Sequence, residues 1–162
     1  MVETVAAGEP TTDPRAKADA VAAADVAPRP TAPATAAAVV DVDEPGSLGR
    51  ARRLLATVAK EAGLAPPRIL DLLVAVNELL TNSLRHGGGR GDLRAWTTTG
   101  WLVCQVDDHG RLPGPVTRFS PPPAGATHGR GLWMANQLAD LLQVRSVPDG
   151  TSVRLGIRLP SM

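Results

Sequence analysis

Val76-Asn77-Glu78-Leu79-Leu80-Thr81-Asn82-Ser83-Leu84-Arg85-His86, stopped by Gly87-Gly88-Gly89, decides the fold of this chain of 162 residues. It is the second half of a helix predicted over 68–86, after a Pro66-Pro67 entry. At the helical period, Ile69, Leu73, Val76, Leu80 and Leu84 fall within about 80° of one another. Asp71, Ala75, Glu78, Asn82 and His86 make an equally narrow stripe on the opposite side. A helix this apolar must be largely buried, so its polar stripe faces either a cavity or solvent.

Upstream, Pro45-Gly46 breaks the chain, and Ser47 is placed to cap a helix over 47–62 that ends at Gly63. Downstream, Leu93, Ala95 and Thr97 alternate with Arg94, Trp96 and Thr98, and Gly100 turns the chain into a second strand over 101–108. There Leu102, Cys104 and Val106 share one face, and the alternation carries Asp108 onto it. A Gly/Pro-rich loop over 110–128 precedes a helix predicted over 129–142, with Leu132, Ala135, Leu138, Ala139 and Leu142 as its packing stripe. Pro148-Asp149-Gly150 then joins 143–147 to 151–159 as a hairpin. Segregated helices and hairpins imply an α+β fold, a two-layer sandwich with helices on one face of a mainly antiparallel sheet.

Charge is unevenly placed. Residues 1–45 carry three bases and eight acids, residues 46–162 fourteen bases and eight acids, and the whole chain is +1. That balance gives no bias toward nucleic acid or a membrane surface. Residues 1–40, mostly Ala, Pro, Thr and Asp, offer little apolar surface and are expected to form a disordered tail before a domain over 41–162. With three Trp, one Phe and no Tyr, the core must be aliphatic. The single cysteine, Cys104, alternates with core positions and reads as a core residue; it excludes an internal disulfide framework and suits a reducing compartment. No apolar run approaches the roughly 20 residues that span a bilayer. No basic start with an apolar segment marks a secretory signal, so a cytoplasmic location is expected.

Three separated pieces carry chemistry. Glu78-x-x-x-Asn82 stacks a carboxylate and an amide on one helical face. The amide oxygen is a hard ligand suited to Mg²⁺, and the carboxylate can serve as a base, although the same spacing is common on solvated faces. Asp108-His109-Gly110 puts a carboxylate at the end of an apolar strand, where it must accept hydrogen bonds. An exocyclic amine of adenine is one suitable donor, and Gly110 allows close approach; a strand-end turn is the alternative. Gly129-Arg130-Gly131-Leu132 opens a helix, where free N–H groups bind anions, or is only a flexible entry. Thr151, on the apolar face of the last strand, is expected to hydrogen-bond the same aspartate or a bridging water. His86 is assigned to the helix end or the edge of a nucleotide pocket. Trp133, off its helix's packing stripe, either covers the loop or a partner or packs at the domain edge. Arg50, Arg52 and Arg53 form a solvated face or a partner-docking surface.

In this order and spacing, these residues resemble the GHKL ATPase/kinase superfamily, nearest its bacterial anti-sigma-factor serine/threonine kinases and related actinobacterial ATP-binding regulators. The resemblance covers about 42–160: Val76–His86 is similar to the N box, Val106–Gly110 to the first glycine box, Gly129–Leu132 to the second and Gly150-Thr151 to the late Gly-Thr pair. It implies a Bergerat-type fold, ATP and Mg²⁺ as cofactors, Asn82 as the metal ligand and Glu78 as the catalytic base. It further implies that Asp108 takes the adenine amine, with Gly110 beneath the ring and Thr151 in support. It implies that Gly129, Gly131 and the adjoining N–H groups, up to Leu132, hold the phosphates as the 110–128 loop closes as a lid; Arg130 is assigned to the phosphates by its placement alone, and His86 to the edge of the set. One departure stands out. The family's Asp-x-Gly-x-Gly is Asp108-His109-Gly110-Arg111-Leu112 here, and the next glycine is Gly114.

The implied function is transfer of the ATP γ-phosphate to a protein antagonist, with a sigma factor as a second partner and homodimerisation left open. The altered glycine box keeps a catalytically silent ATP-dependent binding module as an alternative. A histidine kinase catalytic domain is a weaker alternative, because 47–61 contains no phosphoacceptor His.

Overall fold

A computed structural model describes residues 38–111, 124–125 and 130–161. The order of elements is β1 (Ala38–Val42), α1 (Pro45–Glu61), α2 (Pro66–His86), β2 (Gly91–Thr98), β3 (Trp101–Asp108), α3 (Arg130–Leu138), β4 (Leu141–Val147) and β5 (Gly150–Arg158). The strands form one antiparallel sheet in the order β1-β2-β3-β5-β4. The helices cover one face of it, giving the expected α+β sandwich. Residues 1–37 of the expected 1–40 tail, most of the 110–128 loop and Gly129 lie outside the described residues.

Four local expectations need correction. Residues 38–40 are not tail: β1 pairs with β2 because Val40 and Val42 turn inward while Val39 and Asp41 stay exposed, an alternation too short to stand out. Ser47 works from inside the first turn of α1, not ahead of it. Its buried Oγ accepts from the N–H groups of Asp43 and Glu44 and donates to the Glu44 carbonyl at 2.6 Å. The last helix stops at Leu138, so Leu141 and Leu142 belong to β4. Asp140 makes that switch: its N–H donates to the Gly156 carbonyl, and its carboxylate accepts from Arg68 and from the Arg158 N–H.

The fourth correction concerns the polar stripe of α2, which faces neither a cavity nor solvent alone. Ala75, placed on that stripe, is fully buried, and the buried face of α2 runs through Leu72, Val76, Leu79 and Ser83. The cover is α3, whose Gly131 lies against Asn82 while the Leu138 carbonyl accepts from Arg68 at 3.2 Å. Helix α1 closes on Gly63, whose φ of +85° lets the N–H groups of Gly63 and Leu64 reach back to Lys60 and Ala59.

The core joins Ala51, Leu55, Leu72, Val76 and Leu80 of the helices to Leu93, Leu102, Cys104, Leu155 and Ile157 of the sheet. Burial pushes the Cys104 thiol up to about 12. The helix-free face has a smaller buried patch, in which Trp96 is only 2% exposed with the Arg154 guanidinium 5.4 Å from its ring centroid. Arg158 covers Trp101 in the same way at 4.9 Å.

Candidate functional site

Strand β3 ends on the inner face at Asp108, opposite Gly91 of β2 and Thr151 of β5. Its carboxylate accepts two hydrogen bonds from its own chain. Oδ1 takes the Gly110 N–H at 2.9 Å, the two-residue reach of an Asx turn. Oδ2 lies 2.9 Å from Ser83 Oγ on α2. The turn and the inward-facing carboxylate are therefore present together, where the sequence offered them as alternatives.

Glycine backbone walls this carboxylate on several sides. A Cβ at Gly87 would lie 2.5 Å from Asp108 Cγ, and one at Gly110 would lie 2.5 Å from the His86 carbonyl oxygen and 2.8 Å from Gly87 Cα. A Cβ at Gly150 would fall 1.8 Å from the Asp108 carbonyl oxygen. No side chain fits at these points, so strand β3, the end of α2 and the start of β5 meet backbone to backbone. The 109–110 segment is held from two further directions: His109 donates its backbone N–H to the Gly87 carbonyl at 3.1 Å, and its ring Nδ1 is 3.1 Å from the Asp149 carbonyl oxygen.

Thr151 is buried beside Asp108 in register, but its hydroxyl donates to the Gly110 carbonyl at 2.7 Å and not to the aspartate. It fixes the glycine that follows the strand. On α2, Glu78 and Asn82 stand one turn apart, both partly buried. Asn82 abuts the first turn of α3, where a Cβ at Gly131 would be 2.7 Å from its Nδ2. Arg130 is exposed at the start of α3, Leu132 is partly buried, and His86 is exposed at the end of α2.

The structure thus brings Asp108, Gly110, Thr151 and the backbone of His86 into one cluster, and Asn82 and Gly131 into contact. Glu78 shares the α2 face with Asn82. Sequence reasoning missed Ser83, Gly87 and the contact side of Gly150. The glycine run after His86 reads as a helix stop, and nothing in the local pattern says that its first member touches an aspartate twenty-one positions on.

No metal-holding group of three or more His, Cys, Asp and Glu occurs among the described residues, and none of their helices is long and apolar enough to cross a membrane. The donor set nonetheless fits a purine nucleotide. The Asp108 carboxylate keeps an acceptor site on each oxygen. The first turn of α3 lies against the Asn82 side-chain amide, and the first N–H groups of a helix have no partner within the helix itself.

Comparison with known proteins agrees with this fold. Residues 42–157 match the family described as the histidine kinase-like ATPase domain. Among solved structures, the chain is similar to the crystal structure of the RsbU and RsbW domains of Rv1364c from Mycobacterium tuberculosis. The TM-score is 0.56 at 19% identity, covering 77% of this chain and 33% of that one, so this chain spans about a third of that neighbour's length. No curated protein matches.

Proposed function

The chain belongs to the histidine kinase-like ATPase domain family, and from that premise we propose that it is an ATP-binding regulator acting in the cytoplasm as a serine/threonine protein kinase. One observation carries the reading: an inward carboxylate, Asp108, held by its own backbone and by α2 among closely packed glycines. That arrangement suits an acceptor for the adenine amine, with Gly110 against the ring and Thr151 fixing Gly110. The N–H groups of Arg130 and Gly131 would bind phosphate oxygens, aided by the Arg130 side chain. Gly129 and Leu132 flank that anion site, and His86 borders the adenine contact.

Asn82 would offer its amide oxygen to Mg²⁺, which, when bound, neutralises phosphate charge. Glu78 would accept the proton of the attacking serine or threonine hydroxyl on a protein antagonist, the step a base one helical turn from Asn82 is placed for. The expected partners are that antagonist and a sigma factor.

Calorimetric titration with ATP, with and without Mg²⁺, tests the reading. Wild type should bind in a Mg²⁺-dependent manner, and Asp108→Asn should lose at least about tenfold in affinity with an unchanged melting temperature. Absence of binding by folded wild type would refute it. One sequence feature favours a second reading, a binding module without transfer: Leu112 replaces the second glycine of the Asp-x-Gly-x-Gly pattern. Glu78→Ala separates the two. A kinase keeps nucleotide affinity and loses phosphoryl transfer, whereas a silent module shows no transfer in either form.

A further inference from the structure

We infer that Ser83 is a positioning residue for adenine selectivity, setting the Asp108 carboxylate from the helix side so that it discriminates purines by their 6-amino group. This rests on the reading of Asp108 as the adenine contact and adds a residue to it. Ser83 is 1% exposed, and its Oγ is 2.9 Å from Asp108 Oδ2 and 3.1 Å from the Leu79 carbonyl oxygen.

The Ser83 hydroxyl has one proton, and the Leu79 carbonyl and the Asp108 carboxylate both lie within its reach. The carboxylate is the nearer and the stronger acceptor, so the proton goes to Asp108 Oδ2. With Gly110 N–H on Oδ1 and the Ser83 hydroxyl on Oδ2, the carboxylate plane is held at both oxygens. One acceptor site is left on each oxygen for a ligand N–H.

The serine is itself confined. A Cβ at Gly91 would lie 2.9 Å from Ser83 Cβ, and a Cβ at Gly87 would lie 2.6 Å from Asp108 Oδ2. Two glycines thus bring helix and strand close enough for a side chain as short as serine to span the gap. Without the hydroxyl, Oδ2 gains a free lone pair and the carboxylate turns about its own bond. A guanine, which presents a carbonyl at position 6, would then be rejected less sharply.

Full-length wild type, Ser83→Ala and Ser83→Cys are titrated calorimetrically with Mg²⁺ plus either ATP or purine riboside triphosphate, which lacks the 6-amino group. Wild type should prefer ATP by about tenfold, and Ser83→Ala should narrow that preference to about twofold while changing affinity for the analogue less than about twofold. Ser83→Cys, close in size with a weak S–H donor, should fall between them; it carries the test should the alanine variant unfold. Loss of both nucleotides in equal proportion, or an unchanged preference, overturns the inference and leaves Asp108 as the adenine contact. Wild type that binds neither nucleotide, or both alike, overturns that underlying reading and the inference with it.

Discussion

At the scale of single residues, glycine identity sets the site as firmly as the charged groups do. Gly150→Ala would drive a Cβ into the Asp108 carbonyl, where only backbone stands to move. It should cost at least about 3 kcal/mol, read as a shifted midpoint in urea unfolding. Gly131→Ala meets instead the end of the Asn82 side chain, which can turn away. Its stability should change by less than about 1 kcal/mol while Mg²⁺-nucleotide affinity falls severalfold by calorimetry. The thiol of Cys104, buried and pushed up to about 12, should resist a disulfide reagent at pH 8 in the native protein and react only after denaturation.

At the scale of elements, the hydrophobic periods legible in the sequence correspond to α1, α2, β2, β3 and the β4–β5 hairpin, because each has a long enough repeat. Two elements escaped for physical reasons. β1 contributes only Val40 and Val42 to the core, and its identity depends on β2, more than fifty positions away. The end of α3 could not be read because Leu138, Leu141 and Leu142 suit a helix stripe equally well. What ends it is Asp140, recruited by Arg68 and β5. The residues proposed for the site are legible where the chemistry belongs to the side chain itself, as at Glu78, Asn82 and Asp108. They are not legible where it lies in a contact, as for Ser83 and Gly87. Arg68 pairs with Asp71 inside α2 and links that helix to the end of α3 and to Asp140, with the paired side chains partly exposed. Arg68→Met should therefore cost only about 1 kcal/mol in urea unfolding, since screening weakens each ion pair.

At the scale of the whole molecule, the helix-free face of the sheet carries a row of like charges. Asp41, Asp92 and Asp107 stand in register across β1, β2 and β3. Desolvation raises the pKa of Asp92 most, followed by the Asp41 carboxylate, while Arg90 opposes both. A carboxylate with a raised folded-state pKa adds stability that is fully present below its unfolded value, near pH 4, and is lost as pH rises through the folded value. Ionised Asp92 therefore opposes folding at neutral pH. Asp92→Asn should raise the melting temperature at pH 7, and the gain should shrink toward pH 4; an equal gain at both would show that charge is not the cause.

The two hairpin turns at opposite ends of the sheet differ in how much the protein can be edited there. Exposed tight turns ordinarily accept peptide tags and loop insertions. Thr99-Gly100, between β2 and β3, fits that rule: both residues are exposed, and nothing lies within 4 Å of where a Gly100 Cβ would be. Pro148-Asp149 is equally exposed yet breaks it, because the Asp149 carbonyl meets His109 and Gly150 presses on Asp108. For surface labelling, split reporters or circular permutation, the first turn is the place to open the chain. The second is a hinge pin of the site, despite facing water.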